Sequence, residues 1–369
     1  MIPIYAPYLN ENILKYAHQA IDSTWISSKG RFLEEATYDI ANFYEHRKLP
    51  LLCSNGTTAM HLLARCLKKY HPHIKKIIVQ NNVYVAAWNA FLFDQSYELE
   101  AVDASVDTWN YDLDLLYDVL GKQNIEETAL LVVHNVGNII NVPKIQRDWP
   151  GLVVVEDNCE GFGGTYEDMR SGEAAVFSAI SFFGNKNITS GEGGAIILNT
   201  QEEHDFAFCL HGQGQSSKRF IHDELGYNYR MTNIQAAILH GQMLAYSEIA
   251  DKKRKLFAAY QSLLENVEDV VLPQIEPGTT HSNWMFGIRV LNGNYSDMES
   301  FFNERAIEVR PMFYPMTSHK YLGHIKQNGL KVAKQLNQEC LILPSYPDLK
   351  DHEIYHVVQT LKCYVEGVK

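Results

Sequence analysis

Lys186 stands in the run Ser181-Phe182-Phe183-Gly184-Asn185-Lys186-Asn187-Ile188-Thr189-Ser190-Gly191-Glu192-Gly193-Gly194, between the apolar stretches Val176 to Phe183 and Ala195 to Leu198. The pattern is strand, polar loop, strand. A lysine between two buried strands is desolvated, which disfavours its ammonium form and makes the amine a nucleophile towards an aldehyde. The same pattern fits a surface lysine in an ordinary hairpin, and local sequence alone favours that reading.

Three other places carry residues of chemical interest. Leu51-Leu52-Cys53 reads as a strand, Ser54-Asn55-Gly56-Thr57-Thr58 as a turn, and Ala59 to Leu67 as a helix. A helix N-terminus offers free amides and a positive dipole to an anion, and Gly56 permits close backbone approach, although such turns also serve as plain caps. Neither a nucleotide-triphosphate loop nor a dinucleotide glycine fingerprint is present. Asp157 follows the apolar run Leu152 to Val155, so it sits at a strand end, where it can pair with a protonated ring nitrogen or act as a cap or salt-bridge partner. Tyr84, after the strand Lys76 to Gln80, is placed to stack on a flat ligand or to pack in the core.

The elements that must position these residues alternate. Helices are expected over Glu11 to Thr24 and Phe32 to Tyr44, strands over Tyr97 to Val102 and Ala129 to Val133, and a helix over Asp112 to Leu120. Such βαβα order predicts a doubly wound, mostly parallel sheet with ligands at the strand ends. Asn233 to Leu264 reads as one or two helices leaving this unit. Beyond it, strands at Met285 to Val290 and Ile307 to Arg310 mix with helices at Asp297 to Arg305, Gly329 to Gln338 and Asp351 to Val365. The expected division is a large domain, residues 1–240, and a smaller C-terminal α+β domain, residues 241–369.

The 369 residues carry a formal net charge of −12 without a basic stripe, which argues against nucleic-acid binding. No apolar run spans a bilayer and no leader pattern opens the chain, so a cytoplasmic location and no membrane partner are expected. The six cysteines are dispersed without a Cys-x-x-Cys pair, and the 15 histidines form no ligand motif, so no metal is expected.

Taken together, an amine, a carboxylate, an aromatic and an anion cup supply what pyridoxal 5′-phosphate (PLP) requires. Lys186 would bond to its aldehyde, Asp157 would keep its ring nitrogen protonated, Tyr84 would cover a face, and Gly56, Thr57 and Ser181 would hold the phosphate. The aspartate lies shortly before the lysine, as in fold-type I PLP enzymes. Trp25-Ile26-Ser27-Ser28-Lys29-Gly30, Asn55-Gly56-Thr57-Thr58-Ala59, the lysine loop with Gly191-Glu192-Gly193-Gly194, and Leu225-Gly226-Tyr227-Asn228-Tyr229-Arg230-Met231-Thr232-Asn233 resemble the DegT/DnrJ/EryC1/StrS sugar-nucleotide aminotransferase family.

Gly212-Gln213-Gly214 and Arg310-Pro311-Met312-Phe313-Tyr314-Pro315 are similar to its perosamine-synthase branch. The resemblance implies transfer of an amino group from L-glutamate to the 4-keto carbon of a nucleotide-linked 4-keto-6-deoxyhexose, giving a GDP-perosamine-like or a UDP- or dTDP-viosamine-like product. It also implies that Lys186 shuttles protons, that Glu160 lies beside the cofactor's phenolic oxygen, and that Asn228 reaches the phosphate of a neighbouring subunit in a homodimer with shared sites. Amination at the third carbon is an alternative. So is the dehydratase arm, which carries histidine at the lysine position, and so is a non-catalytic PLP-binding protein. Asp157-Asn158-Cys159-Glu160 departs from the common Asp-Ala-Ala-Gln, and Asn81-Asn82-Val83-Tyr84 from a proline-led segment.

Overall fold

The computed structural model describes residues 1–368. Eight strands form the main sheet in the order Leu49–Cys53, Gly194–Leu198, Phe177–Ser181, Val153–Asp157, Thr128–Val133, Lys76–Gln80, Glu98–Val102 and Lys326–Asn328. Pairing is parallel from Phe177–Ser181 outward to Lys326–Asn328, and only Gly194–Leu198 runs antiparallel to both its neighbours. Every residue of Thr128–Val133 is buried. That is the consequence of covering both faces, because neither side of a central strand is left for polar residues.

Successive residues alternate between two cores, as a pleated strand requires. Val79, Leu131 and Val155 join Met60, Leu63, Trp88 and Phe91 on one face. Ile78, Leu130, Val132 and Val154 join Leu116, Val119 and Ile145 on the other. Towards the opposite edge, Leu52, Ile180 and Ile197 are covered by Ala36, Ile40, Ala236 and Leu239 from the helices Arg31–Phe43 and Asn233–Leu244. The expected doubly wound α/β architecture is therefore the observed one.

Past Tyr246–Leu264 a second sheet orders Val270–Val271, Phe286–Val290, Cys340–Leu343 and Arg310–Pro311, all antiparallel. Helices Tyr246–Leu264, Tyr295–Asn303 and Asp351–Val368 enclose a core with Phe286, Ile288, Leu341 and Leu343. Segments are exchanged between the two sheets. Ile2 pairs with Ile307 and enters the second core, while Lys326–Asn328 adds an edge strand to the main sheet. Asp103, beside that strand, accepts the N–H groups of Val332 (3.0 Å) and Ala333 (2.8 Å), capping Lys331–Glu339, whose own N-cap residue Leu330 cannot.

Several boundaries differ from the sequence expectation. The helix after the Ser54 turn begins at Gly56, because the Asn55 side chain accepts the Thr58 N–H in a capping box. The strand expected over Ile307 to Arg310 pairs only at Arg310–Pro311, since Ile307 makes an isolated bridge to Ile2 instead. Helix Gln201–His211 and strand Cys340–Leu343 add to the elements expected from sequence. Among the described residues no helix is long and apolar enough to cross a membrane.

Candidate active site

The strand carrying Asp157 lies in the middle of the main sheet, and the hairpin carrying Lys186 is formed by the second and third strands from one edge. Asp157 is 6% exposed, and its Oδ1 accepts the Cys159 N–H at 3.1 Å. Burial raises its pKa against the opposing effect of the Cys159 hydrogen bonds and the nearby Lys186 charge. Glu160 is also buried, and its Oε2 accepts the Val136 N–H at 2.8 Å. Desolvation pushes it up to about 7 against the attraction of Lys186, with Asp157 adding repulsion. Lys186 itself is half-buried and sits within electrostatic reach of both carboxyls.

The anion cup is built by close backbone approach. A Cβ on Gly56 would stand 2.8 Å from Ser181 Cβ and 3.3 Å from Cys159 Sγ, so the start of the Gly56–Tyr70 helix is pressed against the end of the Phe177–Ser181 strand. A Cβ on Gly194 would meet the Asn55 carbonyl oxygen at 2.5 Å. Gly194 thus serves close approach to the cup. The Asn55 cap takes the Thr58 N–H and Ala59 donates to the Asn55 carbonyl. The Gly56 and Thr57 amides, which no helix can satisfy internally, remain at its open end.

Tyr84 is 58% exposed with its ring centroid 6.1 Å from Phe313, so it is not a core residue. Three residues before it, Asn81 Oδ1 accepts the Met316 N–H (2.9 Å) and Asn81 Nδ2 donates to the Gly329 carbonyl (3.3 Å). The departure at Asn81-Asn82 therefore tethers the segment that brings Phe313 to Tyr84. At Asp157-Asn158-Cys159-Glu160, the Asn158 side chain turns away to donate to the Ser171 carbonyl (2.9 Å), and Cys159 forms part of the cup floor. Asn228 is exposed, on a segment whose Tyr229 carbonyl accepts the Ser54 N–H at 2.7 Å. Its side chain makes no hydrogen bond among the described residues.

Further side chains pack around these residues. His134 is fully buried, accepting the Ile140 N–H at Nδ1 (3.1 Å), which leaves Nε2 to donate to Glu156 (3.0 Å) one residue before Asp157. Tyr5 donates its hydroxyl to the Lys186 carbonyl (2.8 Å), and Trp284 lies under the Lys186 amine. Both contacts join residues remote in the chain, which no periodicity reports.

The donor set fits PLP. Gly56, Thr57 and Ser181 would take the phosphate, Asp157 the ring nitrogen, Glu160 the phenolic side, and Lys186 the aldehyde, in a cup that a single Cβ at Gly56 would fill. An amine within electrostatic reach of two buried carboxyls at the ends of a doubly wound sheet defines the class: a PLP-dependent α/β enzyme. Residues 7–362 match the model of the DegT/DnrJ/EryC1/StrS aminotransferase family, and the chain belongs to that family, whose cofactor is PLP.

Among curated relatives, the GDP-perosamine synthase of Escherichia coli O157:H7 is 31% identical over 374 residues, covering 98% of this chain and 97% of that one. The GDP-perosamine synthase of Caulobacter vibrioides is 32% identical over 367 residues, again covering 98% and 97%. Among solved structures, Helicobacter pylori PseC, an aminotransferase involved in the biosynthesis of pseudoaminic acid, matches with a TM-score of 0.90 at 20% identity over 99% of both chains. The E. coli GDP-4-keto-6-deoxy-D-mannose-3-dehydratase with bound hydrated PLP matches with a TM-score of 0.89 at 19% identity, over 98% of this chain and 99% of that one. These last two establish the fold.

Proposed function

We propose that this protein transfers the amino group of L-glutamate to the 4-keto carbon of a nucleotide-linked 4-keto-6-deoxyhexose, with a GDP sugar as the first substrate to test and UDP- and dTDP-linked sugars as the viosamine-type counterparts. The observation that carries the reading is the Lys186 amine within electrostatic reach of the buried Asp157 and Glu160, in a chain aligned almost end to end with enzymes named GDP-perosamine synthase. Lysine at this place also speaks against the dehydratase arm, which the family resemblance associates with histidine.

When bound, PLP supplies an electron sink that lets the amino group pass from donor to acceptor in two halves. Lys186 Nζ moves the proton between the two reacting carbons. Asp157 holds a proton on the ring nitrogen, and its buried position keeps water from competing for that contact. Glu160 orients the phenolic side. The Gly56 and Thr57 amides and the Ser181 hydroxyl fix the phosphate end, and Tyr84 covers one ring face. Asn228, exposed in the isolated chain, is supplied to the cup of a second subunit, so the active form is a homodimer with shared sites, working in the cytoplasm.

The test is a product assay with GDP-, dTDP- and UDP-linked 4-keto-6-deoxyhexoses and glutamate, read by mass spectrometry. A 4-amino sugar with stoichiometric 2-oxoglutarate is the expected result. Loss of a sugar hydroxyl without amination, or an amino group at the third carbon, would overturn it.

A further inference from the structure

The segment Ser282-Asn283-Trp284, which enters from outside the main sheet, grips the tip of the lysine loop residue by residue. Asn187 Nδ2 donates to the Ser282 carbonyl (2.8 Å), and Trp284 Nε1 donates to the Asn185 carbonyl (2.8 Å). Ser282 Oγ donates to the Glu160 carbonyl (2.7 Å), so the same segment also holds the strand end that bears the two carboxyls. Asn283 between them has a left-handed φ of 57°, a conformation asparagine tolerates better than most residues. From behind, the buried Lys253 donates to the carbonyls of Trp284 (2.7 Å) and Ser345. The indole is thus fixed at both its ring nitrogen and its backbone, and it is 6% exposed. Lys186 Nζ stands 4.0 Å from its ring centroid.

We propose that the face of Trp284 is the resting surface for the Lys186 ammonium during proton transfer, which makes Trp284 a positioning residue of the reaction. The inference rests on the aminotransferase reading. Lys186 Nζ takes a proton from the α-carbon of the amino donor and becomes an ammonium. It then gives the same proton to the cofactor carbon that had been the aldehyde. The electron pair released at the α-carbon passes through the cofactor's electron sink to that carbon, and Lys186 is again a neutral amine, so no outside acid or oxidant is consumed. Between the two events the cation must stay where it can reach both carbons. An aromatic face attracts the cation through its quadrupole and holds the neutral amine far less, so it supports the charged interval without trapping the nucleophile. Tyr5, bound to the Lys186 carbonyl, fixes the stem from which the side chain swings.

Two variants separate the ring face from the indole N–H. Trp284→Phe keeps a face and loses the bond to Asn185, whereas Trp284→Leu loses both. The holoenzyme is mixed rapidly with glutamate carrying hydrogen or deuterium at the α-carbon, and the half-reaction is followed by cofactor absorbance. Trp284→Leu is expected to slow it about tenfold and to enlarge the isotope effect, with Trp284→Phe recovering most of the rate. A second readout is the affinity of the apoprotein for pyridoxamine 5′-phosphate, which has no aldehyde and bonds to no lysine. It is expected to change by less than about twofold in either variant.

An unchanged rate and isotope effect in Trp284→Leu would overturn the proposal. Equal losses in both variants would overturn it too, by assigning the effect to the indole N–H. A fall in pyridoxamine phosphate affinity parallel to the rate would make Trp284 a packing residue only. Lys186→Ala in the same assay keeps the two readings apart, because turnover surviving there would reject the aminotransferase site itself.

Discussion

Each charged group of the site has its environment written into a measurable response. Lys186→Ala is expected to abolish transamination and the absorbance of the lysine-linked cofactor while leaving circular dichroism unchanged, and retained turnover would reject the assignment. Asp157→Asn should lower kcat by about 100-fold or more, since an amide cannot hold the ring nitrogen protonated. Near-normal kcat would reduce Asp157 to a structural cap on the Cys159 N–H. Glu160 gives a pH signature. Burial pushes it up to about 7 from 4.5, so between those values the folded chain keeps a proton that the unfolded chain has lost. The stability this supplies is complete below the unfolded value and gone above the folded one, and the raised Asp157 acts in the same direction. The apoprotein's Tm is therefore expected to fall between about pH 5 and about pH 8, and less steeply in Glu160→Gln. An identical slope in the variant would mean that Glu160 titrates normally. At this scale the sequence singles out residue types that chemistry needs at strand ends and turns, as at Lys186, Asp157 and Gly56. It was silent on Trp284, because an indole bonded to a carbonyl 99 residues away leaves no local pattern.

Elements explain why small changes remote from any charge should matter. The Gly56–Tyr70 helix and the Phe177–Ser181 strand approach so closely that a methyl group at Gly56 would stand 2.8 Å from Ser181 Cβ, closer than carbon atoms pack. Gly56→Ala must push the helix off the strand and fill the cup. PLP affinity is expected to drop about tenfold or more, with a loss of roughly 1–3 kcal/mol in apoprotein stability from overpacking. Unchanged affinity would place the phosphate elsewhere. The strands were legible as continuous apolar runs, and the Gly56 turn as a helix start, because burial on both faces and capping both operate within a few residues. Lys326–Asn328 was not legible. It has no apolar run, and it is held instead by Glu100, which accepts from Lys326 (2.7 Å), Lys76 (3.0 Å) and Asn328 (2.9 Å). A strand fastened by one buried carboxylate looks like a polar loop in sequence.

At the scale of the molecule, we propose the division into residues 1–240 and 241–369 as two domains that share their margins: Ile2 lies in the second core and Lys326–Asn328 on the main sheet. That exchange ties the N-terminal Tyr5 and the C-terminal Trp284 to the same lysine loop, so the site depends on parts of the chain that only the complete fold brings together. The proposed homodimer would extend the dependence across subunits, and complementation tests it. Lys186→Ala and Asn228→Ala chains are each expected to be nearly inactive. In a mixed dimer with Asn228 acting across the interface, one site collects both substitutions and the other is whole. Random re-pairing of equal amounts should thus restore about one quarter of the wild-type activity, since half the dimers are mixed and each has one intact site of two. If Asn228 served its own chain's lysine, every site in the mixture would carry one defect and no activity would return. Sedimentation of the mixture must show dimers throughout, so that restored activity reports shared sites and not a third species.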